Sequence, residues 1–125
     1  MKTWSKSWSG SKNPRKQRKY SYNAPLHILR KLMSVRLNKD LKIKYQKRNF
    51  PVRKGDKIKV MTGQFKGKIA NVTKVNLKHK KVYLENLNLV KKDGNKIQVA
   101  FHPSNLMIME LNLEDKLRKE ALERK

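Results

Sequence analysis

Between residues 51 and 111, apolar and polar residues alternate in short runs, and each run is cut by residues that favour turns. A period of two sends successive side chains to opposite faces of a strand, which restricts this half of the chain to a sheet with one buried face. Strands are predicted at 57–61, 68–75, 81–86, 96–101 and 106–111. The links are TGQFKG at 62–67, NLKHK at 76–80, KDGN at 92–95 read as a type I′ hairpin turn, and HPSN at 102–105. Five short strands with tight links predict a small closed or nearly closed barrel, because an open sheet would leave unpaired edges to protect.

The first half of the chain reads differently. Residues 1–22 mix Ser, Lys, Gly and Pro without apolar periodicity, and a disordered basic arm is expected there. Its aromatics, Trp4, Trp8, Tyr20 and Tyr22, lie among cations, a pattern that suits stacking on bases while neighbouring charges hold phosphates; a plain solubilising tail is the competing reading. Residues 23–50 are expected to hold two short helices. Asn23 would cap the first, with Pro25 in its first turn and Leu26, Leu29 and Met33 on one face. The second would start at Asn38 and share a face between Leu41 and Tyr45. Both are too short to stand alone and need a surface to dock on. Residues 112–125 interleave acids and bases and predict a solvated C-terminal helix.

Charge then narrows the class of partner. Lys and Arg number 33 against 9 Asp and Glu, a formal net charge of +24, and self-repulsion on that scale opposes compaction unless a polyanion is near. The first carboxylate is Asp40, so the N-terminal third is uniformly positive. Without cysteine there is no disulfide framework, no thiolate metal site and no thiol nucleophile. No apolar run approaches the roughly 18 residues that cross a bilayer, so no membrane partner is expected. The Ser-rich basic start resembles a transit peptide, but Gly10 and Pro14 interrupt it and no cleaved leader is expected. A metal-dependent nuclease would need clustered carboxylates, whereas Asp40, Asp56, Glu85, Asp93 and Glu110 are scattered and His27, His79 and His102 lack ligand spacing. No catalytic, metal or cofactor site is therefore expected.

The stretch VRKGDKIKVMTGQFKGKIANV, residues 52–72, places its cations at the corners of two strands. A loop bounded by Gly63 and Gly67 would let backbone amides approach phosphate, while Gln64, Lys66 and Lys68 reach oxygens or sugar hydroxyls. Phe65 would either stack on an unpaired base or pack over the barrel end. Asp56 is read as bonding a turn amide, with Arg53, Lys54 and Lys57 around it as RNA contacts. In the next turn His79, Lys80 and Lys81 are candidate phosphate donors. His102 and Pro103 are read as locking a link from which Ser104 and Asn105 contact sugars. The helical region adds Lys31, Arg36, Lys44 and Arg48, and the arm adds Arg15, Lys16, Arg18 and Lys19.

Gly55-Asp56, Ile58, Val60, Gly63, Lys66-Gly67-Lys68 and Val72 together resemble the KOW motif, which transcription elongation factors and several ribosomal proteins share. Around it, Asn23-Ala24-Pro25-Leu26-His27, Lys31-Leu32-Met33-Ser34, Leu41 with Lys44-Tyr45, and above all His102-Pro103-Ser104-Asn105 resemble the large-subunit ribosomal proteins numbered twenty-four in bacteria and twenty-six in eukaryotes, in their archaeal form. The resemblance implies an SH3-like barrel bound to large-subunit rRNA near its 5′ end. It further implies a place beside neighbouring ribosomal proteins at the peptide exit tunnel, a role early in assembly, and a cytoplasmic location in the ribosome. The alternative is a KOW-containing elongation factor, for which the chain has little room for a second domain. One departure stands out: the family usually has glycine where this chain has Ala70, and a positive φ there would strain alanine.

Overall fold

The computed structural model describes residues 4–5 and 10–124. In chain order its elements are α1 (Pro14–Asn23), α2 (Leu26–Leu32), β1 (Ser34–Leu37), α3 (Lys39–Tyr45), β2 (Asn49–Pro51), β3 (Lys57–Val60), β4 (Ile69–Asn76), β5 (Lys81–Val90), β6 (Lys96–Phe101), a 3₁₀ turn (Pro103–Asn105), β7 (Leu106–Glu110) and α4 (Lys116–Glu123). Among the described residues the strands form one seven-stranded sheet in the order β2-β1-β7-β3-β4-β5-β6. Its β1–β7 pair is parallel and the other pairings are antiparallel.

The sheet has seven strands where a closed or nearly closed barrel of five was expected, and the difference has a local cause. The 23–50 segment, read as helical, also contributes β1 and β2, because Val35 and Leu37 alternate with Ser34 and Arg36 in a run too short to register as a strand. β1 docks beside β7, which leaves β2 and β6 as the two edges of an open, mixed sheet. The β2 edge is short, at three residues, as unpaired edges commonly are, whereas β6 runs for six. Register shifts at Lys57/Ile58, Val72/Lys74 and Tyr83/Asn88 bend the sheet. As a result Val35 and Leu37 from one side share a single core with Ile58, Val60, Val82, Leu84, Leu106 and Ile108. Asn86, at φ 58, marks the last of these shifts, and beyond it β5 runs on to Val90 rather than ending at Asn86.

Turn chemistry follows the same logic. Lys91 N donates to Asn95 O at 2.9 Å and Gly94 N to Lys91 O at 3.0 Å, and in this link only Gly94 has positive φ. A type I′ turn needs positive φ at both central residues, so the link is the three-residue kind with glycine in the left-handed position.

The helices divide into docked and undocked. In α2, Leu29 and the following Met33 are buried, but Leu26, expected on the same face, is exposed. Pro25 rather than Asn23 caps it. α3 starts where expected: Asn38 Oδ1 accepts Lys39 N at 2.7 Å, and Leu41 and Tyr45 pack on the core. α1 occupies a stretch read as devoid of structure. Pro14 lies at its first turn, where a missing N–H costs nothing, and Asn13 Oδ1 accepts Arg15 N at 3.0 Å. No residue of α1 is buried. Trp4 folds back on it, its indole N–H bonded to Tyr20 O at 3.2 Å and the two rings 5.0 Å apart. Trp8, Lys2 and Lys6 lie outside the described residues.

α4 is anchored rather than solvated. Leu122 enters the core, and Arg118 forms a two-pronged buried ion pair with Asp56, Nη1 to Oδ1 and Nη2 to Oδ2 both at 2.6 Å. The same guanidinium donates to Asn112 O at 2.7 Å and Pro51 O at 3.2 Å and lies 5.6 Å from the Phe50 ring centroid. Asp56 also accepts Arg53 N at 2.9 Å and Asn112 N at 3.0 Å. The turn role read for Asp56 thus holds, together with a partner 62 residues away. Gly55 takes φ +88, where a side chain is strained, and a Cβ there would stand 2.8 Å from Asn112 Nδ2 and displace that amide.

Candidate nucleic-acid interface

The loop between β3 and β4 forms because Gly63 and Gly67 take φ of +89 and +86. Gly67 N donates to Val60 O at 2.8 Å, Lys66 N to Gly63 O at 3.1 Å and Lys68 N to Phe65 O at 3.1 Å. These amides are therefore used within the loop and are not free for phosphate, contrary to the expectation for Gly67. A Cβ at either glycine would meet nothing within 4 Å, so the demand for glycine is conformational. The exposed side chains of Gln64, Lys66 and Lys68 remain to face a partner. Phe65 packs edge-on against Phe101, centroids 6.0 Å apart, with the Lys68 ammonium 5.3 Å from its ring. Of its two readings, packing over the end of the core is the one the fold uses.

The 102–105 link meets this loop. Met61 N donates to Asn105 O at 2.8 Å, and His102 Nδ1 accepts from Ser104 N at 3.3 Å and lies 2.8 Å from the Ser104 hydroxyl oxygen. The locking role of His102 is thus direct, and Ser104 and Asn105 are exposed next to the loop. His79, Lys80 and Lys81 lie at the other end of β4, roughly 20–25 Å away at ~3.3 Å per residue. There Asn76 Oδ1 accepts His79 N at 3.2 Å and Lys80 takes φ 52, turning the chain without glycine. Lys31 ends α2, Arg36 stands on β1, Arg48 precedes β2, and Lys44 on α3 lies 5.3 Å from the Tyr45 ring. Arg15, Lys16, Arg18 and Lys19 are exposed along α1.

Counter-ions sort these cations. Lys57 pairs with Glu110 at 2.9 Å, and Arg53 pairs with Asp115. The Arg53 hydrogen bond holds the Asp115 carboxyl below its ordinary range against the opposing effect of burial, with the Leu117 amide adding to the lowering. Among the described residues the only other ion pair is Arg118–Asp56. The remaining candidate cations have no carboxylate within ion-pair distance among the described residues. Sequence reasoning missed Lys91, Lys92 and Lys96, exposed around the β5–β6 hairpin. The signal was weaker there: Lys92 and Lys96 stand two residues to either side of Gly94, with Asp93 and Asn95 between, whereas Lys66 and Lys68 adjoin Gly67. No group of three or more His, Cys, Asp or Glu among the described residues could hold a metal ion, and no helix is long and apolar enough to cross a membrane.

Residues 11–125 match the model of the ribosomal protein family numbered twenty-six in eukaryotes and twenty-four in archaea. The chain belongs to this family. It is 46% identical over 115 residues to the large ribosomal subunit protein uL24 of Methanosphaera stadtmanae, covering 92% of this chain and 98% of the relative. To the uL24 protein of Korarchaeum cryptofilum it is 44% identical over 115 residues, covering 92% and 88% respectively. Membership makes the chain a structural constituent of the cytoplasmic ribosome and favours the ribosomal reading of the KOW stretch over the elongation factor. The departure from the family at Ala70 carries no strain. Among the described residues the non-glycine positive φ values fall at Gln46, Lys80 and Asn86, and Ala70 pairs with Ile58 in ordinary strand geometry.

Proposed function

We propose that the chain binds large-subunit rRNA near its 5′ end, supports early assembly of the subunit and sits beside other large-subunit proteins near the peptide exit tunnel. The bent run from β3 to β7 acts as the SH3-like barrel of the family, with residues 1–22 as an arm, 23–50 as a helical collar and 112–125 as a closing helix. Arg15, Lys16, Arg18 and Lys19 on α1 follow an RNA groove, while Gln64, Lys66, Lys68, Ser104 and Asn105 form one contact patch and His79, Lys80 and Lys81 a second. Lys31, Arg36, Lys44, Arg48 and Lys54 extend the contact between them, and Arg53 and Lys57 contribute after exchanging their carboxylates for phosphate. The observation that carries this reading is α1: a helix with four cations, no acid and no buried residue, for which the folded chain supplies no counter-charge. Transcripts of the 5′ and 3′ regions of Methanosphaera stadtmanae large-subunit rRNA test it in filter binding. Preference for the 5′ transcript is expected, and equal binding overturns the assignment.

A further inference from the structure

One flank of the sheet holds a cleft of ≈ 490 Å³, within the ~300–1,000 Å³ of ordinary ligand pockets. Its rim carries Arg30 from α2, Arg53 and Lys54 from the link before β3, and Lys74 from β4. Val52, Val75 and Leu77 form its floor. Two other clefts carry carboxylates, Glu85 in one and Glu114 and Asp115 in the other; among the described residues none lines this one. Four cations around an apolar floor, without an acid, describe neither a plain phosphate site nor a protein-docking groove. A phosphate alone gains nothing from valine and leucine, and an apolar protein segment gains nothing from four cations.

We infer that this cleft takes one nucleotide extruded from the rRNA, its base and sugar over Val52, Val75 and Leu77 and its phosphate among Arg30, Lys54 and Lys74. The inference rests on the RNA-binding reading above. A continuous A-form duplex presents phosphates and 2′-hydroxyls on a convex surface that spans such a mouth without filling it, whereas an unstacked nucleotide enters. Arg53 is turned to Asp115 and forms the outer wall. The Thr73 hydroxyl donates to Tyr83 O at 3.1 Å, which leaves its oxygen able to accept from a sugar or base. No aromatic residue lines the cleft, so the base is held by apolar contact rather than stacking, and discrimination between bases is weak. The backbone beside two of the lining segments is fixed in advance: Gly55 N, next to Lys54, donates to Val72 O at 3.0 Å, and Val72 N, next to Thr73, donates to Asp56 O at 2.9 Å, with Asp56 held by Arg118. Little ordering is left for binding to impose.

The test uses the full chain and two synthetic RNA hairpins of equal length, one a continuous duplex and one with a single bulged 2-aminopurine. The wild type is expected to bind the bulged hairpin about tenfold more tightly, a difference of roughly 1.4 kcal/mol, with a change in 2-aminopurine fluorescence. Arg30→Ala with Lys74→Ala removes two exposed cleft cations and should bring the two affinities together. Lys91→Ala with Lys92→Ala removes the same charge at the hairpin tip and should weaken both complexes equally while preserving the preference. Equal wild-type affinity for the two hairpins, or a preference that survives the cleft variant, overturns the inference. Absence of binding to both hairpins overturns the RNA-binding reading itself.

Discussion

α1 and α4 are both short charged helices capped by a side chain, Asn13 in one and Asp115 in the other, yet they end in opposite situations. α4 buries Arg118 and Leu122 and is tied to the sheet at Asp56; it adds a bond from Lys47 Nζ to the Ala121 carbonyl and the Arg53–Asp115 pair at its cap. α1 buries nothing. What separates them is a fixed counter-charge: a carboxylate already bonded to two backbone amides waits for Arg118, and among the described residues no ion pair forms with Arg15, Lys16, Arg18 or Lys19. In a molecule of net charge +24, docking is decided by where the few acids stand, and the helix left without one is available to an external polyanion.

The largest test acts on α1. If its cations meet phosphates, six to ten contacts overall imply a loss of about 10³–10⁵ in RNA affinity between 50 and 200 mM salt, on a scale set by duplex DNA. Deleting residues 1–22 should weaken binding and flatten that salt response while the sheet keeps its circular dichroism and unfolding midpoint. A truncated protein with unchanged salt dependence would place the contacts elsewhere and erase the contrast.

Next in size is the break on the α4 side. Removing one member of a buried ion pair costs about 3–5 kcal/mol, and the two members are not equivalent. Asp56→Ala strands a guanidinium that cannot deprotonate and orphans the Arg53 and Asn112 amides. Arg118→Ala leaves a carboxylate that keeps its bonds to both amides. Urea unfolding should rank Asp56→Ala as the more destabilised of the two; the reverse order would mean that the helix contacts, not the Asp56 turn, dominate.

These two regions also explain what the sequence disclosed. Period-two patterning located β3, β4, β5, β6 and β7 to within a few residues, because each alternates against one core. It missed β1, which pairs with β7 some 70 residues away, and β2, which pairs with β1. Asn13-Pro14 was present as a cap and first-turn pair but was masked by low-complexity surroundings. Arg118 was unreadable from its neighbours, since Lys116, Lys119 and Glu120 describe a solvated face and only the fold brings Asp56 beneath it. For the interface, exposed loop cations were legible because turn chemistry fixes their exposure, whereas Arg30 and Lys74 acquire their meaning from a cleft assembled by separate elements.

A smaller effect probes how far α1 depends on its own cap. With no tertiary burial to hold it, Asn13→Ala should cost ~0.5–2 kcal/mol of helix stability. Helical ellipticity should fall while the urea midpoint of the sheet stays in place. A midpoint that moves would show α1 coupled to the core, closing the gap between the two helices.

The smallest effect is electrostatic and falls on the α4 cap. Arg53 holds the Asp115 carboxyl below its ordinary range, so the folded state binds its proton less readily than the unfolded chain does. The stabilisation is therefore complete above the unfolded value near ~3.9 and is lost as pH falls through the depressed folded value. Asp115→Asn keeps an oxygen for the Leu117 amide and replaces the charge, together with the oxygen that accepts from Arg53, by a neutral amide. Its deficit in urea midpoint relative to wild type should be visible at neutral pH, vanish in acid, and shrink with added salt, because the pair is partly exposed. A deficit that persists in acid would assign the role of Asp115 to cap geometry, leaving the buried Asp56–Arg118 pair as the charge contact that separates α4 from α1.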